Sequence, residues 1–335
     1  MIKGPLLAEL PEFCAAVPYQ IKSIAIKDAC KAVSAAKRKF RETGEISEVR
    51  FRSRKAPSQS CYIPGSAVTA KGIYPTISGD GLSYSEALPE KRVGKKSVSG
   101  TPTLADSRLT FEYGRWYLCV PVVSTMCDAE NQGRIVALDP GIRSFQTFFS
   151  ETSCGQIGKG DFSRIARMAV HLDDLLARLD PKRNENRVTA KQRYCMRRSA
   201  GKMRLRIRDL VDELHWKTCR FLVQNFDVIL LPTFETKDMV LKCKRKIRKK
   251  SVRSLLTFSH FRFKMRLKNK ASEFGKVVLD VDEAYTSKTA SWTGEVKNIG
   301  GAKFITSGGI KVERDINGGR GIFLRSLVDH PEILQ

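Results

Sequence analysis

The sequence predicts an α+β protein of more than one domain. Three observations carry this. At 335 residues the chain exceeds one ordinary domain. Hydrophobic residues make up 41%, enough for a real core. The apolar pattern passes from a helical stretch to short strands, and then to strands alternating with long helices.

Residues 20–41 predict a helix, with Ala25, Ala29, Ala32, Ala36 and Phe40 on one face and Gly44 as the stop. Strand-like segments follow at 49–52, 61–63, 72–74, 109–113 and 116–120, punctuated by Gly and Pro. They predict a small β-barrel over about 46–125. Residues 86–106 lack periodicity and are expected to form a loop. A second unit starts near Asn131. Its first strand, 134–138, runs into Asp139, and 145–149 is the expected hairpin partner. Two long helical patterns follow, one through Ile165, Leu172 and Leu179, the other through Met203, Leu210 and Phe221. Residues 227–231 and 276–281 read as strands, and 252–274 as one basic helix.

The net charge is +25. Residues 181–270 hold 27 Lys/Arg against 7 Asp/Glu, which is +20 of that total. A solvated helix face usually mixes both signs, so a run this one-sided implies a polyanionic partner whose phosphates it neutralises. No apolar run approaches the roughly 18 residues of a spanning helix, and Met1-Ile2-Lys3-Gly4-Pro5 opens no signal peptide. The protein is therefore expected to be soluble and intracellular, cytoplasmic or nucleoid-associated. The nine cysteines (14, 30, 61, 119, 127, 154, 195, 219, 243) form no CxxC pair and read as reduced thiols. His171, His215, His260 and His330 have no ligand set around them and are expected to be packed or exposed. No GxxxxGK[ST] or GxSxG motif occurs, which argues against a P-loop ATPase and an α/β-hydrolase.

Cleavage of nucleic acid by two metal ions needs several carboxylates converging on one spot. Acidic residues that end apolar strands are the candidates. Asp139 ends 135–138 and precedes Pro140-Gly141. It reads as a metal ligand or as a turn former. Asp315 lies in Glu313-Arg314-Asp315-Ile316-Asn317 ahead of an apolar stretch, as a ligand or as a helix cap.

Together these segments carry a resemblance. Leu138-Asp139-Pro140-Gly141-Ile142-Arg143-Ser144-Phe145 is similar to the first RuvC motif of TnpB proteins. Tyr285-Thr286-Ser287-Lys288-Thr289 resembles the family's YTSKT segment, and Arg314-Asp315-Ile316-Asn317 its RDxN motif. Order and spacing match from about residue 20 to the end. The resemblance implies an RNase H-like (RuvC) core preceded by a helical recognition remnant (1–45) and a wedge-like β-barrel (46–125). The nuclease domain would span 126–335, with a helical insertion at 160–225 and a ribbon remnant at 286–312. It implies an RNA-guided DNA endonuclease of an insertion sequence, with guide RNA and double-stranded DNA as partners and Mg²⁺ or Mn²⁺ as cofactor. The implied nucleic-acid contacts are Lys191, Arg197, Arg198, Lys202, Arg206, Lys244, Arg245, Lys246, Arg248, Lys249, Lys250, Arg262 and Lys288.

Four departures qualify it. The usual second-motif Glu falls at Pro232, so the implied third ligand is Glu283, as in the serine-recombinase-linked, Fanzor-like subgroup, with Glu235 as fallback. The family's four-cysteine ribbon has no cysteine here beyond Cys243, so no zinc is expected. The ribbon would be held by packing around Trp292 and Phe304. Gly318 and Gly319 replace alanines, so the helix behind Asp315 is expected to start late. Met1 would begin inside the recognition region. Two other readings stay open: a binding protein without nuclease activity (a guide-directed repressor or decayed remnant), and a DNA transposase.

Overall fold

The structure is a computed structural model. It describes all residues except 1–2, 51–55, 57, 76–81, 87, 89–93, 97–101, 123–131, 181–187, 235–239, 242–247, 283–287, 298–301 and 332–335. The chain divides into two compact units, Met1–Ser124 and Thr125–Gln335.

In the first unit, α1 (Lys3–Ala8) leads to α2 (Tyr19–Thr43), which closes where Gly44 turns left-handed (φ 70°) and donates its N–H to the Phe40 carbonyl. A three-stranded antiparallel sheet is formed by β1 (Ser58–Ile63), β6 (Ser107–Glu112) and β7 (Arg115–Cys119) in the order β1-β6-β7. Tyr113 and Gly114, at φ 47° and 95°, make the tight β6–β7 turn. Two further ladders pair β2 (Val68–Thr69) with β3 (Gly72–Ile73), and β4 (Gly94–Lys96) with β5 (Pro102–Leu104). The last pair falls inside 86–106, expected as loop. The expected barrel is also corrected: among the described residues the strands form three separate sheets and no closed barrel. Ile63, Ala67, Val68 and Ile73 make a small core with Ile21, Leu109 and Leu118.

The second unit is built on a five-stranded sheet. β8 (Ile135–Pro140) is central, β9 (Gln146–Ser150) and β10 (Cys154–Ile157) extend it as an antiparallel meander, and β11 (Val228–Pro232) and β12 (Val277–Val281) add on in parallel. The order is β10-β9-β8-β11-β12. Central strands buried on both faces need apolar side chains on both, which the runs of β8 and β11 supply. Val136, Leu138, Ile229 and Leu231 pack one face against Phe162, Leu222, Phe258, Phe263 and Leu267. These belong to α3 (Asp161–Leu179), α4 (Ala190–Asn225), α5 (Lys249–Phe258) and α6 (His260–Glu273). Ala137, Leu230 and Val281 pack the other face on Ile322 and Phe323 of α7 (Arg314–Asp329).

The single helix expected over 252–274 is two. Ser259, at φ 50°, breaks it, and its hydroxyl donates to the Leu256 and Thr257 carbonyls. The bend lets Phe258 and Phe263 both enter the core around Phe145. That ring is also stacked between His215 and His260, at 5.1 and 5.3 Å.

Candidate functional site

Side chains alternate along a strand, so Asp139 shares the face of Ile135 and Ala137, the side covered by α7. It stands at the end of β8, opposite Thr147 of β9, and is half-buried. Asp315 lies in the first turn of α7, also half-buried, where a carboxylate is favoured by the positive end of the helix dipole. Asp139 meets α7 at Gly318. A Cβ built at that glycine would lie under 3.0 Å from Asp139 Oδ2 and 3.3 Å from its Cγ, so the Asp139 carboxylate rests directly on the helix. Positions i and i+3 of a helix are neighbours, with Cβ atoms about 5–6 Å apart. Asp315 thus lies on the same face of the helix as Gly318, where the Asp139 carboxylate rests.

The late helix start expected behind Asp315 is not found: α7 begins at Arg314. At Gly318 bulk is excluded by Asp139, whereas a Cβ at Gly319 would make ordinary contact with the Phe149 Cβ at 3.4 Å. Asn317, fully buried, accepts from the Ser291 N–H at 2.9 Å and donates to the Thr289 carbonyl at 2.8 Å. Arg320 Nη1 donates to Ser291 Oγ. The motif's asparagine therefore pins the segment after Lys288 to the helix carrying Asp315.

Two half-buried carboxylates offering only oxygen atoms suit a hard divalent cation such as Mg²⁺ or Mn²⁺. Among the described residues no cluster of three or more His, Cys, Asp or Glu side chains is found. Glu283 and Glu235 lie outside the described residues. Pro232, on β11, shares the Asp139 face through its neighbour Leu230 and contributes no ligating atom.

The ribbon segment differs from expectation. Trp292 Nε1 donates to the Ser307 carbonyl at 3.0 Å, but Phe304 is 40% exposed, flanked by Lys303 and Lys311 at 5.2 and 4.7 Å, and anchors no core. The clasp is polar instead. Ser307 Oγ meets Thr293 Oγ1 at 2.7 Å and donates to Glu295 Oε2 at 2.7 Å, with Lys297 3.1 Å from the same oxygen. These contacts hold Glu295 ionised, below the usual carboxylate range. The antiparallel pair β13 (Phe304–Ser307) and β14 (Ile310–Glu313) leads from this clasp into α7.

The basic residues are spread over several elements. Lys191, Arg197, Arg198, Lys202 and Arg206 are exposed on α4, and no side chain from Ala190 to Ser199 is buried. Tyr194, 66% exposed, continues the i, i+4 row of Arg198, Lys202 and Arg206, a spacing the sequence itself offered. Arg248, Lys249 and Lys250 crowd the N-terminus of α5, where the helix dipole opposes them. Lys244, Arg245 and Lys246 lie outside the described residues. Arg262 pairs with Asp212 at 3.3 Å, and Lys288 is exposed. Sequence reading passed over Arg204, Arg208 and Arg253, which line a cleft among α3, α4 and α5.

It also passed over Asp227. Fully buried, Asp227 accepts from the Gln132 and Arg134 backbone N–H groups and from Arg134 Nε at 3.1 Å, and Lys276 Nζ lies at 2.5 Å. Burial raises its pKa, but Arg134 and Lys276 outweigh that and hold the carboxyl well below the usual range. The ion set ties together the starts of β8, β11 and β12.

No helix of the described residues is long and apolar enough to cross a membrane. The family model described as Cas12f1-like, TNB domain, matches residues 260–322, the stretch from α6 through the ribbon into α7. The chain is 32% identical over 222 residues to the "Putative transposase" of Paramecium bursaria Chlorella virus 1, covering 64% of this chain and 48% of that protein. It is 27% identical over 243 residues to a TnpB-like protein of Acanthamoeba polyphaga mimivirus, covering 68% and 45% respectively. It thus spans about half the length of these relatives. A solved structure of a Cas12f1–sgRNA–target DNA complex aligns with TM-score 0.45 at 14% identity, over 65% of this chain and 45% of that one. In these relatives and in the match of residues 260–322 to the Cas12f1-like, TNB domain, the chain is similar to TnpB-like proteins.

Proposed function

We propose that the chain carries the nuclease centre of an RNA-guided DNA endonuclease, on an RNase H-like (RuvC) core. The observation that carries the reading is the Asp139 carboxylate seated on α7 at Gly318, three residues after Asp315 in the same helix's first turn. The sheet order, with only the meander strand β9 antiparallel to β8 at the centre and β11 and β12 parallel to it, supports this core. Divalent metal ions would supply activation of water and stabilisation of charge on the scissile phosphate. Asp139 and Asp315 would hold them. Glu283 is the proposed third ligand: Val281, two residues before it, packs on the Asp139 face. Glu235 is the fallback.

The chain's own residues set the geometry. The packed end of β8 fixes Asp139, the first turn of α7 fixes Asp315, and Asn317 locks the following segment against that turn. The exposed basic row on α4 and the lysines at the start of α5 would hold guide RNA and target DNA by their backbones. Asp139→Ala and Asp315→Ala should each abolish Mg²⁺-dependent cleavage of guide-matched DNA while RNA binding persists. Cleavage at the wild-type rate by the double variant would remove the site. Joined DNA ends in place of cleaved ones would favour strand transfer, the transposase reading.

A further inference from the structure

The first turns of α4 stand clear of the core, with no buried side chain from Ala190 to Ser199. The helix is nonetheless firmly started there, because Thr189 and Gln192 exchange side-chain and backbone hydrogen bonds in a capping box. Between Thr189 and Arg208 the sequence holds eight Lys or Arg and no Asp or Glu. Arg208 lies 3.9 Å from Asp209, and Arg204 is also engaged. The side chains of Arg198, Lys202 and Arg206, by contrast, make no ion pair or hydrogen bond among the described residues, and all three are exposed. They stand at i, i+4 spacing, where like charges repel, and Lys191 and Arg193 oppose the positive end of the helix dipole. A polyanion laid along the row relieves that repulsion. Tyr194 heads the row, one turn before Arg198, with its side chain 66% exposed. From Tyr194 to Arg206 the row runs about 18 Å.

A charged row alone accepts any phosphate backbone, paired or not. An aromatic ring at its head discriminates. In a duplex the faces of the bases are covered by their neighbours, so a ring on the outside meets only sugar and phosphate, where a further Lys or Arg would serve better. In a single strand a base can splay out and lay its face on the ring, while the phosphates that follow stay on the cations. We propose that the exposed start of α4 is a single-strand site, in which Tyr194 stacks one unpaired base and Arg198, Lys202 and Arg206 take the phosphates beside it. The proposal rests on the reading of the chain as nucleic-acid-binding and deepens it. It names the form of nucleic acid that this helix takes, and it adds a contact that carries no charge.

The test is fluorescence anisotropy of labelled oligonucleotides of about twelve residues, long enough to cover the row, titrated with the full chain in EDTA. The probes are oligothymidylate, oligouridylate and a mixed-sequence DNA duplex of equal length. Tyr194→Ala should weaken single-strand binding about fivefold to a hundredfold, the worth of one stacked base, and leave the duplex within about twofold. Its salt slope should match the wild type's, because the ring neutralises no phosphate. Tyr194→Phe keeps the ring and should bind like the wild type. Arg198→Gln/Lys202→Gln should instead lower the slope of log affinity against log salt by about 1 to 1.5. Alanine on an exposed helix face favours the helix, so the Tyr194→Ala protein should fold. A larger Tyr194→Ala loss on oligouridylate names RNA as the strand, a larger loss on oligothymidylate names DNA, and equal losses a site indifferent to the sugar; each supports the site. Single-strand affinity of Tyr194→Ala within about twofold of wild type, or an equal loss on the duplex, would overturn the proposal. So would a Tyr194→Phe loss as large as that of Tyr194→Ala, since the hydroxyl and not the ring would then be the contact. The ring is uncharged and no divalent ion is present, so failure here leaves the basic row and the Asp139 and Asp315 reading to their own tests.

Discussion

Gly318→Ala places one methyl group between α7 and the Asp139 carboxylate. Two opposed effects follow. Alanine gains about 1 kcal/mol over glycine in a helix interior. The new Cβ, however, would sit under 3.0 Å from Oδ2, where ordinary contact is about 3.5 Å, so helix or carboxylate must move by roughly 0.5–1 Å. Overpacking of this kind costs about 1–3 kcal/mol. Net stability should therefore change little, between about 0 and 2 kcal/mol of loss. Catalysis has no such offset. A misplacement near 1 Å can cost on the order of 10²-fold in rate. Gly319→Ala is the control, since the nearest atom to its Cβ would be the Phe149 Cβ at 3.4 Å, an ordinary contact. Measured together, thermal melting should barely separate the two variants, whereas guide-dependent cleavage and Mn²⁺ affinity should fall steeply for Gly318→Ala alone. A Gly318→Ala protein that binds Mn²⁺ and cleaves like the wild type would refute the seating of Asp139 on α7 as the organising contact.

Other outcomes follow from the same packing. His215 donates from Nε2 to the Phe258 carbonyl at 2.8 Å, which leaves Nδ1 to accept from Arg266 at 3.2 Å, so the ring is neutral. Burial pushes His215 and His260 down to about 4, against an ordinary value of 6.5. Both are depressed, so the unfolded chain takes up the protons first. Stability should be full above about pH 6.5 and fall towards pH 4, by up to roughly 3 kcal/mol per ring. Denaturant midpoints that stay flat across that range would contradict it. Asp227→Asn leaves Lys276 and Arg134 without their shared carboxylate and should cost about 3–5 kcal/mol in urea unfolding; a loss under about 1 kcal/mol would show the ion set to be incidental. Arg198→Glu, Lys202→Glu and Arg206→Glu together should lower the salt slope of RNA binding by about 2 to 3, and an unchanged slope would move the backbone track elsewhere. Elemental analysis of purified protein should find no stoichiometric zinc, since no cysteine follows Cys243; about one zinc per chain would be the contrary result.

The parts of the fold that could be read in the sequence are those governed by local pattern. The apolar runs at 135–138 and 228–231 sit at the centre of the sheet, and the alanine row of 20–41 is α2. Asp139 and Asp315 were visible because a strand end and a helix start advertise themselves in neighbouring residues. What stayed hidden depends on distant partners. The break at Ser259 follows from core demands on Phe258 and Phe263, not from a Gly or Pro. The role of Asp227 needs Arg134 and Lys276, 93 and 49 residues away. Gly318 looks like a poor helix former until the carboxylate above it is seen. The barrel was over-read because short strands at regular spacing do not say how they pair.

The clasp of Ser307, Thr293, Glu295 and Lys297 has a physiological corollary. A knuckle tied by thiolates and a metal loosens under peroxide or under scarcity of that metal. Hydroxyls, a carboxylate and an ammonium group present nothing to oxidise and nothing to chelate. This tip should keep its shape through oxidative stress and metal starvation, and yield instead to acid, once Glu295 takes up a proton and releases Lys297 and Ser307.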